Sequence, residues 1–221
     1  MSNGRLALVF GVLTLLFLAA LLPLRLVLSG NGITARQATG TLWDGELRAA
    51  ALRGVALGDV SLGLSPLPLL VGQRRIDFAT SGLSGRVTTG GGRIAAEGVS
   101  GVALPGQLGG LPVARINFAD FAAVFQDDRC ITASGSLTLD PGGPLAALGG
   151  FSGSPRCDGD RLLLPLQGQG GRLDLHLAAD GGYSASLALE AVEPAARTGL
   201  LASGFQPTPT GLVLMLAGTL Q

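Results

Sequence analysis

Glycine punctuates this chain, and that limits what it can fold into more than any other feature. Thirty-six of the 221 residues are glycine, about twice the usual share, scattered among short runs of leucine, valine and isoleucine. No strict Gly-X-Y period runs through them, which excludes a collagen helix. The apolar residues are too plentiful for wholesale disorder. Many short strands joined by many turns is the expectation that fits. Charge adds little: fifteen basic and fifteen acidic side chains cancel, so nothing argues for a nucleic-acid partner. Every basic residue is arginine, and only Arg74 and Arg75 are adjacent. Arginine grips phosphate and carboxylate more specifically than lysine does. With the residues this dispersed, GC-rich coding accounts for the bias better than a basic patch does.

The first thirty residues follow a different pattern. Leu6 to Leu24 holds no charged residue, and Leu6 to Leu28 is interrupted only by Pro23 and Arg25. A spanning helix needs about 20 apolar residues, with Arg25 able to reach the far interface along its stem. A cleaved signal peptide is the competing reading. Its apolar region is about 7–15 residues long and ends at a small-residue site, and Val27-Leu28-Ser29 is a poor one. An uncleaved anchor is therefore expected. Arg5 precedes the span and Arg25 and Arg36 follow it, so the flanking charges are nearly balanced. Large domains translocate largely regardless of such charges, and the expected arrangement has the N-terminus in the cytoplasm and the domain outside.

Beyond the anchor, period-two alternation recurs. Gly40-Thr41-Leu42-Trp43-Asp44-Gly45-Glu46-Leu47 reads as two strands turning at Asp44-Gly45, a strong hairpin signal. From Val55 to Leu64 the apolar set changes face near Gly58, which predicts a bulge. Ser65-Pro66-Leu67-Pro68-Leu69-Leu70 cannot be a central strand and reads as a turn with a short apolar docking segment. Strands are expected at Ile76–Ala79, Gly82–Thr88 and Arg93–Val99, the last two joined by a turn at Gly90-Gly91-Gly92. Further on, Leu137 and Leu139, then Leu173, Leu175 and Leu177, then Leu187 and Leu189, and last Leu212, Leu214 and Leu216 each mark one apolar face. Pro144–Leu148 and Pro194–Ala202 are short helix candidates. The fold class is all-β, mainly antiparallel, a Gly-rich curved sheet with one apolar face. Such a face must close on itself, dimerise or hold an apolar ligand.

Chemistry-bearing patterns are scarce. The chain has no lysine, so the triple glycine is no P-loop and no Schiff base can form. His176, the single histidine, sits on the polar side of its strand and reads as a surface residue. Gly150-Phe151-Ser152-Gly153 lacks the nucleophile-elbow spacing. Asp158-Gly159-Asp160 is too short for a calcium loop and reads as a turn, and Asp127-Asp128 beside Arg129 as a solvated loop. No catalytic residue, cofactor or metal ligand is expected, and a non-enzymatic role follows. Cys130 and Cys157 are the only cysteines. Two buried free thiols are one reading; a disulfide is expected instead because the domain should face an oxidising compartment. It would close a loop of about 28 residues, worth about 3–4 kcal/mol on the chain-entropy account.

The order of these features resembles the type II secretion system protein N family. The likeness is carried by the anchor, by Gly40–Gly45, by Leu57–Leu70 with its Ser-Pro-Leu-Pro-Leu-Leu end, and by the run of short strands to Gly218-Thr219-Leu220. The family often has further tryptophans in its strands, whereas Trp43 is the only one here. The resemblance implies residues 1–30 as cytoplasmic tip and inner-membrane anchor and residues 31–221 as a periplasmic β-rich domain. It also implies an accessory role in exporting folded periplasmic proteins, with other inner-membrane secretion components as partners. It brings no catalytic or cofactor residue, and Trp43 is either packed in the core or an interface anchor. The competing expectation is an AsmA-like, taco-shaped sheet that binds or transfers membrane lipid in the bacterial envelope.

Overall fold

The computed structural model describes residues 33–52, 55–108, 111–190 and 194–219, together with Leu21. Apart from Leu21, the expected anchor lies outside these residues. Among the described residues no helix is long and apolar enough to cross a membrane. The chain divides into two compact units, Met1–Ser81 and Gly82–Gln221, and both are built of antiparallel strands.

The first unit contains β1 (Ile33–Thr34), β2 (Gln37–Gly40), β3 (Gly45–Leu52), β4 (Val55–Ser65) and β5 (Arg74–Thr80). A one-turn helix α1 (Pro66–Leu69) joins the last two. Strands β1 and β2 pair along β3, β3 pairs with β4, and β4 with β5. Leu47, Ala50 and Val60 form its buried cluster, with Ala35, Ala38, Leu42 and Leu62 packed against it. Leu47 and Ala50 are three residues apart and still share a face. The cause is a bulge at Ala49, where φ is +49°, opposite Gly58 with φ of +75°. The Asp59 carboxylate accepts the Ala49 N–H at 3.0 Å and supports the bulge. The face change expected at Gly58 is therefore real.

The expected Asp44-Gly45 turn is displaced. Gly40 pairs directly with Gly45, the loop is the four residues Thr41–Asp44, and the positive φ of +85° falls on Gly40. Two interactions account for the longer loop. The Leu42 side chain packs against the core cluster, and its carbonyl accepts the Leu64 N–H at 3.2 Å, which draws the loop over the sheet.

The second unit begins with β6 (Leu83–Gly90), β7 (Arg93–Ala103), β8 (Gly106–Leu108), β9 (Leu111–Gln126) and β10 (Arg129–Pro141). A 3-10 turn (Gly143–Leu148) leads to β11 (Phe151–Gly153), β12 (Arg156–Asp158), β13 (Arg161–Gly168), β14 (Gly171–Leu177) and β15 (Gly182–Glu190). Helix α2 (Pro194–Ala202), β16 (Gln206–Thr208) and β17 (Gly211–Thr219) complete it. The spatial order is β6-β7-β9-β10-β11-β13-β14-β15-β17-β16, with β8 along β9 and β12 along β13. Both short helices fall where proline starts were expected. Gly91-Gly92 makes the β6–β7 turn, as expected, with φ of +59° and +74°. Asp127-Asp128 is exposed, as expected, and forms the two-residue turn of the β9–β10 hairpin, with φ of +49° and +63°. Aspartate tolerates this left-handed region better than most residues, which lets two acids take the place of Asn-Gly.

The leucine alternations hold throughout this unit. Leu137, Leu139, Leu173, Leu175, Leu187, Leu189 and Leu212 are buried, while Arg172 on the opposite face of β14 is exposed and pairs with Asp174 at 2.8 Å. Strand β9, the longest, has no counterpart among the strands expected from the sequence. It supplies Leu111, Val113, Ile116, Ala123 and Phe125 to a core completed from β10 through β17.

Candidate functional site

The alternation in the second unit leaves one face of its sheet apolar, and that face encloses a cavity of about 270 Å³. Its walls include Phe118 and Phe121 from β9, Leu139 from β10, Leu164 from β13, Leu175 from β14 and Tyr183 from β15. Strands β9 and β15 are separated by β10, β11, β13 and β14 in the pairing order. Only a curled sheet brings them around one space. The lining holds no ionisable group apart from the Tyr183 phenol. The volume is close to the roughly 300 Å³ at which small-molecule sites begin. Chemically, such a space accepts a slender aliphatic group and has nothing to offer a charged one.

A bulge shapes the β9 wall. Asp120 has φ of +49°, so Phe118 and Phe121 fall on the same face although three residues separate them. Their rings meet edge to face with centroids 5.6 Å apart, a favoured aromatic geometry. The Asp120 N–H donates to the Ser100 hydroxyl at 3.0 Å, which holds the bulge from β7. Opposite it, Gly135 has φ of +95°, and a side chain there would run into the Asp120 carbonyl. On the far wall Tyr183 faces Gly218 across the β15–β17 pair, and a Cβ at Gly218 would meet the ring at 3.0 Å. The missing side chain leaves the ring its room there. Among these cavity residues Phe118 and Phe121 escape the alternation, because the bulge turns period two into a spacing of three.

Cys130 and Cys157 form a disulfide with Cα atoms 5.5 Å apart. Cys130 lies just after the Asp127-Asp128 turn, and Cys157 just before the turn at Gly159, where φ is +62°. The Cys130 N–H also donates to the Asp160 carbonyl at 3.0 Å. The bond thus ties together the tips of two hairpins, β9–β10 and β12–β13. Asp158-Gly159-Asp160 is a hairpin turn, as expected from the sequence.

In the first unit the two motif segments meet. The Leu42–Leu64 backbone bond places the Thr41–Asp44 loop beside the end of β4, where Ser65 leads into α1. Trp43 is half-buried there, while its neighbour Leu42 is the residue packed on the core cluster. Leu67, Leu70 and Val71 project from α1 and the turn after it with 77, 83 and 75% of their surfaces exposed. A groove along β2–β4 carries Asp44, Glu46 and Asp59. Asp59 is engaged with the Ala49 amide, and Glu46 lies 3.8 Å from Arg48. Among the described residues no group of three or more His, Cys, Asp or Glu side chains is placed to hold a metal ion. His176 stands on the polar side of β14, opposite Leu163 and Ser184, away from the cavity lining.

The family model described as type II secretion system (T2SS), protein N, matches residues 31–212. The chain belongs to the type II secretion system protein N family. No curated protein and no solved structure matches it. The protein N match covers the described strands of the first unit and reaches β17 of the second, so it includes both motif segments, the disulfide and the cavity. Membership links the chain to type II secretion and to the other components of that system. The expected AsmA-like architecture receives no support from any solved structure.

Proposed function

We propose that this protein is an accessory, non-enzymatic component of the type II secretion system, anchored in the inner membrane by the apolar run between Leu6 and Leu28. Its β units then lie on the periplasmic side and support export of folded proteins through contacts with other inner-membrane components. The family match over residues 31–212 carries this reading. The Cys130–Cys157 bond is consistent with an oxidising compartment. The test is affinity purification of the full chain from detergent extracts of secreting cells, paired with a secretion assay on a deletion strain. Co-purifying secretion components and retained cargo are expected. Unchanged secretion, with no such component recovered, overturns the reading.

A second reading rests on the cavity: the curled sheet of the second unit holds the acyl portion of a membrane lipid, in binding or in transfer. The apolar lining and the volume of about 270 Å³ favour it. The same purification, extracted for lipid, separates the two. Stoichiometric phospholipid without secretion partners supports lipid handling, whereas secretion components without lipid refute it.

A further inference from the structure

The chain's two most distinctive segments converge at one end of the first unit, and that end is apolar on the outside. Helix α1 buries none of its residues, although it is made of Pro66, Leu67, Pro68 and Leu69. Elsewhere, strongly exposed apolar residues such as Ile131 and Met215 are isolated in the sequence; here Leu67, Leu70 and Val71 fall within five residues. The turn also bonds part of its own backbone internally. The amides of Leu70, Val71, Gly72 and Gln73 all donate to carbonyls of Leu67, Pro68 or Leu69 at 2.9–3.2 Å, and the two prolines have no N–H to satisfy. Backbone that is bonded internally can enter a water-poor environment at little cost.

Charge and aromatic placement indicate which environment that is. Arg74, exposed, and Arg75 follow the turn directly; the acids nearby are Asp77, half-buried with its carboxylate accepting from the Ser65 hydroxyl at 3.4 Å, and Asp44 of the neighbouring loop. Trp43 stands half-buried in that loop. Aliphatic side chains at the tip, a tryptophan behind them and arginine at the margin is the order of chemistry across a lipid headgroup layer. Protein-binding patches instead concentrate aromatic residues at their centre.

We propose that this end of the first unit docks on an anionic phospholipid surface, with Leu67, Leu70 and Val71 among the upper acyl chains and Arg74 on the phosphates. The proposal rests on the membrane anchoring put forward above and is independent of the secretion role. It has a geometric consequence. Ile33 pairs with Leu52, at the opposite end of β3 and β4 from α1. The eleven residues of β4 cover about 36 Å, and residues 29–32 add about 14 Å of reach. Anchor and tip meet the same bilayer only if the strands of the first unit lie along its surface.

The experiment uses the full chain with Leu70→Cys, or separately Val71→Cys, labelled with a polarity-sensitive fluorophore while Cys130–Cys157 stays oxidised. The protein is reconstituted in vesicles of phosphatidylglycerol and phosphatidylethanolamine. Expected are a blue-shifted emission, loss of emission when acyl-brominated lipid replaces ordinary lipid, and protection from aqueous iodide. Arg74→Glu should reduce the bromolipid quenching. Iodide quenching with no bromolipid effect at both positions overturns the proposal. So does burial of the label only when other secretion components are added, which assigns the tip to a protein, or only at high protein density, which assigns it to a second copy. Flotation of the vesicles with the protein reports the anchor separately, so a failed anchor and a failed tip are distinguishable.

Discussion

The two units use the same strand pattern and end with very different interiors. Among the described residues, the first gathers three buried ones in its cluster, Leu47, Ala50 and Val60. The second gathers twenty, from Leu111 on β9 to Leu212 on β17. Strand count explains much of this: a few strands present one apolar face, whereas ten in series can curl until that face meets itself. Both units also use the same local device. A non-glycine residue with φ of +49°, Ala49 in one and Asp120 in the other, puts side chains three apart on a common face. In the small unit this completes a minimal core; in the large one it furnishes a cavity wall. The lesson is that identical backbone chemistry serves packing or vacancy according to how much sheet surrounds it.

Trp43 makes this comparison measurable, since it is the only tryptophan and belongs to the first unit. Its fluorescence reports that unit in a urea titration, while far-ultraviolet dichroism reports both. The largest effect is expected from Phe151→Ala, because Phe151 is 1% exposed in the large core; the loss should be about 3–5 kcal/mol, seen in dichroism. If the Trp43 transition moves equally, the two units unfold as one and the contrast fails. Replacing Cys130 and Cys157 together by serine should cost about 3–4 kcal/mol in the same unit, checked against the wild type under reducing conditions. Leu47→Ala should cost about 2–3 kcal/mol, at the low end for leucine because so small a core can relax, and should move the Trp43 transition. The smallest effect has the opposite sign. Thr88 is 3% exposed, and its hydroxyl has no hydrogen-bond partner among the described residues. Thr88→Val should therefore stabilise the second unit by about 0.5–1 kcal/mol, read as a higher denaturation midpoint.

Much of the strand pattern could be read in the residues, and the exceptions share a cause. Where neighbours alternate without interruption, as in Arg172–Leu177, the pattern gives the strand and its buried side directly. Gly58 betrays its bulge because a glycine breaks the alternation visibly. Asp120 does not, since an aspartate there looks like an ordinary polar residue and Phe118-x-x-Phe121 looks like helical spacing. The long strand β9, and with it one wall of the cavity, stayed hidden for that reason. Asp127-Asp128 was obscured similarly: two acids carry no obvious turn signal unless the left-handed tolerance of aspartate is weighed. The hairpin near Asp44 was legible but its loop was not, because its length depends on where Leu42 finds a partner on β4. The cavity itself arises from curvature, a property of the assembled sheet with no local signature.

The disulfide has a mechanical meaning as well. Its cysteines are 27 residues apart along the chain yet 5.5 Å apart between Cα atoms. At about 3.5 Å per extended residue, roughly 90 Å of contour is locked out of any stretching of the oxidised chain. Under tension the segment from β10 through β11 to β12 cannot pay out, and force bypasses it through one covalent bond. A molecule pulled by its two ends would thus yield first in strands outside this loop and keep the joined hairpin tips as a knot of fixed length until a reductant opened it.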